Sequence, residues 1–256
     1  MVTIPLAAVK LGKLPAHVDP RTLSLSRYVD REVLPAPPPS LDLSSRVIEW
    51  PLYANDRLGD CTTAAAGHMI EAWTAAAAGT AVEVPEAAVL AAFDAVKIVD
   101  PTSGEEGAVE LDVLKLWRST GIGDHRIGAF ARVARDDRDL VSTGAWLFGG
   151  LYVGLQLPLR ATGQDVWDWA GSLDGPDAPG SWGGHAVDVV AYDEGGLTVV
   201  TWGALKRMTW AFWDRYSDEA WCVLSTDFLA GGRSPAGFDL EALQHDLALV
   251  TGGARG

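Results

Sequence analysis

Apolar residues recur at three- and four-residue intervals through the first half of the chain and alternate with polar ones through much of the second half. After Cys61, Ala66, Met69, Ile70, Trp73 and Ala77 share one side of a helix whose start Thr62 and Thr63 can cap. A second helix is predicted over 85–99, opening at Pro85-Glu86 and carrying Val89, Leu90, Ala92, Phe93 and Val96. A third runs from Leu111 to Trp117 and ends at Gly121, and Asp136 to Ser142 reads as one or two helical turns. From Val133 the pattern turns to strands. Leu151, Val153, Leu155 and Leu157 alternate with Tyr152, Gly154 and Gln156 and stop at Pro158. His185–Asp193 and Leu197–Gly203 read as two strands joined by a hairpin turn over Asp193–Gly196, and Glu219–Leu224 as a third.

The flanks read differently. Residues 1–41 form an N-terminal arm with one short helix over Leu23–Val33 and a stiff connector, Leu34–Ser40, rich in proline. The preferred reading of this arm is a strap over the body; a short inhibitory segment crossing a cleft is the alternative. Helical lobe 42–130 and β lobe 131–230 together form one domain, and 231–256 carries a docking helix at Phe238–Val250. Between the strands, Gln164–Trp182 is a loop whose Trp167, Trp169 and Trp182 can either wall a cleft or pack the lobes together.

Composition narrows the classes. The chain has 256 residues, 48% hydrophobic and 21% charged, which suits a soluble globular protein with a substantial core. Its net charge of −14, with Lys and Arg scattered singly, argues against a nucleic-acid partner. No apolar run approaches the roughly 18 residues of a membrane span, and the first residues lack a basic leader, so a cytoplasmic site is the default. Metal-ligand spacings, a phosphate loop and a dinucleotide fingerprint are missing, so no cofactor or metal is expected. Of the two cysteines, Cys222 lies in an apolar strand and reads as a small buried hydrophobe.

Cys61 is different. The stretch Asn55–Ala66 turns through Gly59 and enters the helix at the thiol, where exposed N–H groups and the helix macrodipole favour thiolate. Far downstream, Gly183-Gly184 leads into the strand headed by His185-Ala186-Val187, and Thr201-Trp202-Gly203 ends the next. In these motifs the chain resembles the papain-like cysteine proteases. Cys61 falls on the nucleophile with Gly59 two residues before it, Asn55 on the oxyanion-hole glutamine, His185 on the general base, and Trp202 on the tryptophan that shields the base. Asp42 precedes Asn55 at the family's spacing for its early aspartate, and the resemblance spans about 40 to 225.

That resemblance implies an α+β fold of two lobes, a helical left lobe with the nucleophile helix and an antiparallel, barrel-like right lobe. It implies a peptidase or amidase acting by thiolate acyl transfer on a peptide or protein substrate. Three residues depart from the pattern. Val200 stands where the family orients its histidine with asparagine; Thr201, on a regular strand, and Asp188 are expected to face away from His185. Asp60 precedes the nucleophile, where a negative charge raises a thiol pKa, and Thr62 replaces the usual aromatic. Two alternatives therefore stand: a catalytically inactive papain-like fold used for binding or assembly, and a cell-wall amidohydrolase of the cysteine–histidine type.

Overall fold

The computed structural model describes residues 9–29, 34–169 and 171–229. Helix α1 (Cys61–Ala78) is its spine. Residues Cys61 to Ala76 of this helix are all buried, so it is enclosed on every side instead of lying amphipathic on a surface. Its run of alanines allows that, because small side chains let neighbouring elements approach closely. Gly67 extends the same logic: a Cβ there would sit 2.7 Å from the Tyr53 ring. The helix ends at Gly79, whose φ of 77° is the left-handed conformation that glycine adopts without steric penalty.

Helices α2 (Glu86–Val96) and α3 (Glu110–Ser119) pack beside α1, and α4 (Arg138–Phe148) lies against the sheet. Trp73 of α1 stacks on Trp117 of α3 with ring centroids 5.5 Å apart, and its indole N–H donates to the Phe148 carbonyl at 3.0 Å. This single side chain ties three helices together. A small two-stranded sheet, β3 (Ile98–Val99) with β4 (Glu106–Gly107), links α2 to α3.

The main sheet joins β1 (Leu23–Ser24), β2 (Leu41–Asp42), β5 (Ile127–Arg132), β6 (Leu151–Leu157), β7 (Val166–Trp167), β8 (Gly183–Asp193), β9 (Gly196–Thr201), β10 (Ala204–Thr209) and β11 (Ser217–Ser225). Its order is β1-β5-β11-β6-β8-β9-β10-β7, with β2 added beside β8, and the pairs are antiparallel except β1 with β5 and β10 with β7. A short helix, α5 (Trp210–Tyr216), crosses from β10 to β11. The central strands β6 and β8 are buried on both faces, because α1 and α4 cover them.

Several expectations change. The sheet is open among the described residues, with β1 and β7 at its two ends, so the expected barrel does not close. Of the helix expected over Leu23–Val33, the described residues 23–29 instead form β1 and a 3-10 turn at Leu25–Arg27, because Leu23 and Ser24 find backbone partners at Ala131 and Arg132; the rest of that span lies outside the described residues. Strand β5 lies in a stretch read as helical, where its pairing with the Cys222 strand outweighs local preference. The expected docking helix at Phe238–Val250 lies outside the described residues. No helix among them is long and apolar enough to cross a membrane.

Replacing Trp73 with alanine removes the stacking, the indole hydrogen bond and the volume that joins α1, α3 and α4. The expected cost is about 3–5 kcal/mol of unfolding free energy, measured as a lower denaturant midpoint at unchanged slope.

Candidate active site

Cys61 is the first residue of α1, and the helix start is set by the Asp60 carbonyl, which accepts from the amides of Thr63 and Ala64 at 2.9 Å each. Neither threonine caps through its side chain; the Thr63 hydroxyl donates back to the Asp60 carbonyl at 3.1 Å. Before the cysteine the chain must pass very close to other backbone. A Cβ on Gly59 would lie 2.1 Å from the Glu106 carbonyl oxygen, so only glycine fits there.

The sulfur meets the head of β8. Backbone amides of Ala186 and Gly12 are directed at it, which sets the thiol against the residue that follows His185. His185 Nε2 lies 2.6 Å from the Thr201 hydroxyl, and its ring stacks on Trp202 at 4.3 Å and 17°. Nδ1 of His185 is buried and has no hydrogen-bond partner among the described residues. Trp182 and Trp167 in turn pack on Trp202, with centroids 5.4 and 6.2 Å away. Of the three loop tryptophans, Trp182 therefore borders the site, while Trp167 is fully buried and stacked on Phe212 at 5.5 Å. Trp169 packs under the Arg215 guanidinium.

The Thr201 contact overturns one expectation. Strand register pairs Asp188 with Val200, which puts Thr201 across from Val187. Val187 and His185 share a face of β8, so Thr201 is the diagonal neighbour of the imidazole. Val200 points to the opposite face, into a small cluster with Trp50, Ala72 and Val190. Trp202 then leaves the strand at φ 47°, and this left-handed turn lays the indole over the histidine. Asp188 does face away from His185, as expected from its parity.

Asn55 is buried, and its side-chain amide donates to the carbonyls of Leu58 at 3.2 Å and Lys10 at 3.4 Å. The second contact belongs to the N-terminal arm, whose residues 9–14 run directly over this site. Lys10 N donates to the Asn55 carbonyl at 2.9 Å, and Trp202 Nε1 donates to the Lys10 carbonyl at 3.1 Å. Further along, Ala108 N donates to the Gly12 carbonyl at 2.8 Å, Lys13 N to the Gly184 carbonyl at 3.1 Å, and Leu14 N to the Ala108 carbonyl at 2.9 Å. The arm is bound by main chain on both sides, as an extended peptide would be.

Enclosure dominates the electrostatics. Cys61 is 1% exposed, and burial pushes its thiol up to about 12, with Asp60 and Glu110 adding a smaller push against the two amides. Burial also drives His185 down to about 3, so cysteine and histidine rest as neutral thiol and neutral imidazole under the arm. Asp60 itself is raised to about 8 by burial, which keeps it mostly uncharged at neutral pH. The repulsion expected from a carboxylate beside the nucleophile is therefore weak there. No group of side chains suited to hold a metal ion occurs among the described residues.

Thr201, Gly12 and the Ala186 amide are site features that the sequence reading missed. The first was obscured by parity counted from the family's asparagine position. Gly12 carried a faint signal as a glycine within an apolar arm. A backbone amide carries none.

No protein-family model matches the sequence, and no curated protein matches it. Solved structures do. The chain is similar to xylellain, a cysteine protease from Xylella fastidiosa, at 17% identity and a TM-score of 0.62, covering 86% of this chain and 97% of that one. It is similar to digestive procathepsin L 3 of the Tenebrio molitor larval midgut at 13% identity and a TM-score of 0.56, covering 86% and 77%. Procathepsin B S9 from Trypanosoma congolense matches at 12% identity and a TM-score of 0.53, covering 84% and 86%. With Cys61 opening the buried helix, His185 heading the central strand and these likenesses running nearly the length of the described chain, the protein has the papain-like fold.

Proposed function

We propose that this chain is a cysteine-dependent peptidase or amidase whose own N-terminal arm holds it latent. The observation that carries the reading is the meeting of the Cys61 sulfur with the head of the His185 strand, inside a slot already filled by extended backbone. In the open enzyme, Cys61 gives its proton to His185 and attacks the substrate carbonyl, and the resulting imidazolium protonates the leaving amine. Water then hydrolyses the acyl-enzyme.

Asn55 Nδ2 and the Cys61 backbone N–H serve as oxyanion donors, a role whose loss costs about 10²–10³ in rate at comparable sites. Thr201 is a positioning residue. Accepting from Nε2–H, it leaves the Nδ1 lone pair of His185 free to take the thiol proton. Trp202 keeps water off the imidazole face.

Latency follows from the arm. It offers Cys61 the Gly12 amide, whereas the Gly12 carbonyl is turned to Ala108, so no carbonyl carbon of that residue is set for attack. It also excludes water, which is what raises the thiol and lowers the imidazole. A thiol at about 12 stays neutral at every physiological pH, so alkylation of Cys61 in the intact protein is expected to be slow at pH 8 and to climb about tenfold per pH unit towards 11.

Gly12→Ala separates the arm's effect from the fold's. Its Cβ would lie 1.9 Å from the Gly59 carbonyl oxygen, so the arm cannot stay seated. Peptide mass mapping after iodoacetamide should show Cys61 labelling at least about tenfold faster at pH 7–8, with Cys222 unchanged as the internal control. Unchanged Cys61 labelling would mean that the body, and not the arm, buries the thiol.

Activity tests the chemistry. In the Gly12→Ala background, Cys61→Ala and His185→Ala should each abolish hydrolysis of denatured casein, while Cys222→Ala leaves it intact. Activity that survives Cys61→Ala rules out this mechanism; an accessible thiol with no turnover of any peptide favours a binding role. Turnover of muropeptides but not of protein would move the reading to a cell-wall amidohydrolase. Thr201→Val should lower kcat and shift the acid limb of its pH profile, and Thr201→Ser should restore both.

A further inference from the structure

Lys13 leaves the arm and enters the body between β6 and β11. Its side chain has no exposure, and Nζ lies 2.8 Å from Asp218 Oδ2 and 3.0 Å from Glu219 Oε1 while also donating to the Leu14 carbonyl at 3.2 Å. Glu110, fully buried at the start of α3, completes the wall: Trp221 Nε1 donates to Glu110 Oε2 at 3.1 Å and to Glu219 Oε2 at 3.2 Å. Gln156 Nε2 donates to Asp218 Oδ2 at 2.7 Å. Glu110 Oε1 is buried without a hydrogen-bond partner among the described residues.

Three carboxyl groups around one ammonium is more acid than a lysine anchor requires. Burial raises Glu110 and Glu219 and the lysine charge lowers them, while the same acids hold Lys13 above its ordinary range. Stability is a poor reason to keep such a cluster, because a buried ion pair rarely outperforms packed apolar side chains. Recognition is a better one.

The pocket is also shaped for an unbranched stem. A Cβ on Gly154 would lie 2.1 Å from Lys13 Cε, so glycine in β6 is what opens the space. The slot above it is cleared in the same way. A Cβ on Gly184 would stand 2.2 Å from the Lys13 carbonyl oxygen, and one on Gly107 2.4 Å from the Gly12 oxygen. Backbone binding through Ala108 and Gly184 is indifferent to sequence, which leaves discrimination to the pocket.

We propose that Glu110, Asp218 and Glu219, around the space opened by Gly154, form a specificity pocket for a lysine side chain of a peptide substrate, with Lys13 as its resident surrogate. The proposal rests on the peptidase reading for the word substrate, but the pocket's preference is measurable without turnover. The residue whose side chain fills it adjoins the one whose amide meets the sulfur, so selection occurs beside the reacting bond.

The test uses the full chain carrying Gly12→Ala to free the slot and Cys61→Ala to prevent chemistry. Calorimetric titration compares acetyl-Gly-Lys-Gly-amide with the norleucine peptide, which keeps the stem and lacks the charge. The lysine peptide should bind about tenfold more tightly or better, as charge-assisted hydrogen bonds allow, and Glu219→Gln or Gly154→Ala should erase the difference. Equal affinities, no binding of either peptide, or a preference that survives both substitutions overturns the proposal.

If the arm-released protein does not fold, the wild type gives the same answer. The lysine peptide at millimolar concentration should speed Cys61 alkylation by displacing the arm, and the norleucine peptide should not; equal effects or none from both overturn the pocket. With Cys61 restored, lysine-selective binding without hydrolysis of any peptide would remove the peptidase reading and leave the pocket. Hydrolysis without a lysine preference would do the reverse.

Discussion

The site depends on the complete burial of α1. A helix enclosed on every side cannot shift or rotate without opening voids, and a void costs a close-packed interior dearly. Its first residue is therefore fixed relative to β8, the strand on which it packs. Cys61 sits at that first residue and His185 near the head of that strand, so the placement of both follows from helix-on-sheet packing. The alanines, Gly67 and the Trp73–Trp117 stack support that placement without touching either side chain.

Placing reactive groups in so dense a setting has an electrostatic consequence. Dry surroundings penalise charge, and every titratable group near Cys61 moves towards its neutral form: the thiol and Asp60 upwards, His185 downwards. Lys13 is the exception because its partners enter the interior with it. One stretch of arm thus does two opposite things. Gly12 lies against the sulfur in a dry interior that holds the thiol neutral, while Lys13 sits among three acids, two of them fully buried.

Much of this was legible in the sequence. Cys61, His185, Asn55 and Trp202 each belong to a short local motif, and local motifs survive divergence because turn geometry fixes their spacing. The helices and β6 were readable from periodicity. Thr201 was misread because its role depends on register between two strands, and counting along a single strand cannot supply register. Asp60 was given a charge that burial largely removes, a property of surroundings and not of residue type. The acidic pocket was invisible for a plainer reason. Its members come from the arm, α3 and β11, and a lone lysine among apolar residues looks like any surface lysine until the chain closes around it. Strand β5 was lost to the same cause, since its partners lie about ninety residues downstream.

Because the arm is part of the same chain, its occupancy of the slot is set by tether length and not by how much protein is present. Short flexible tethers give effective concentrations in the millimolar range. A strap held by four main-chain hydrogen bonds and one buried ammonium can therefore be individually weak and still win against dilute free peptides. Cutting the chain anywhere between Leu14 and Leu23 would change that at once, converting a permanent neighbour into a dissociable fragment whose hold falls on dilution. The stretch between those points is proline-marked and mostly exposed, including Val18. The covalent link, more than any contact the arm makes, is what keeps the slot filled.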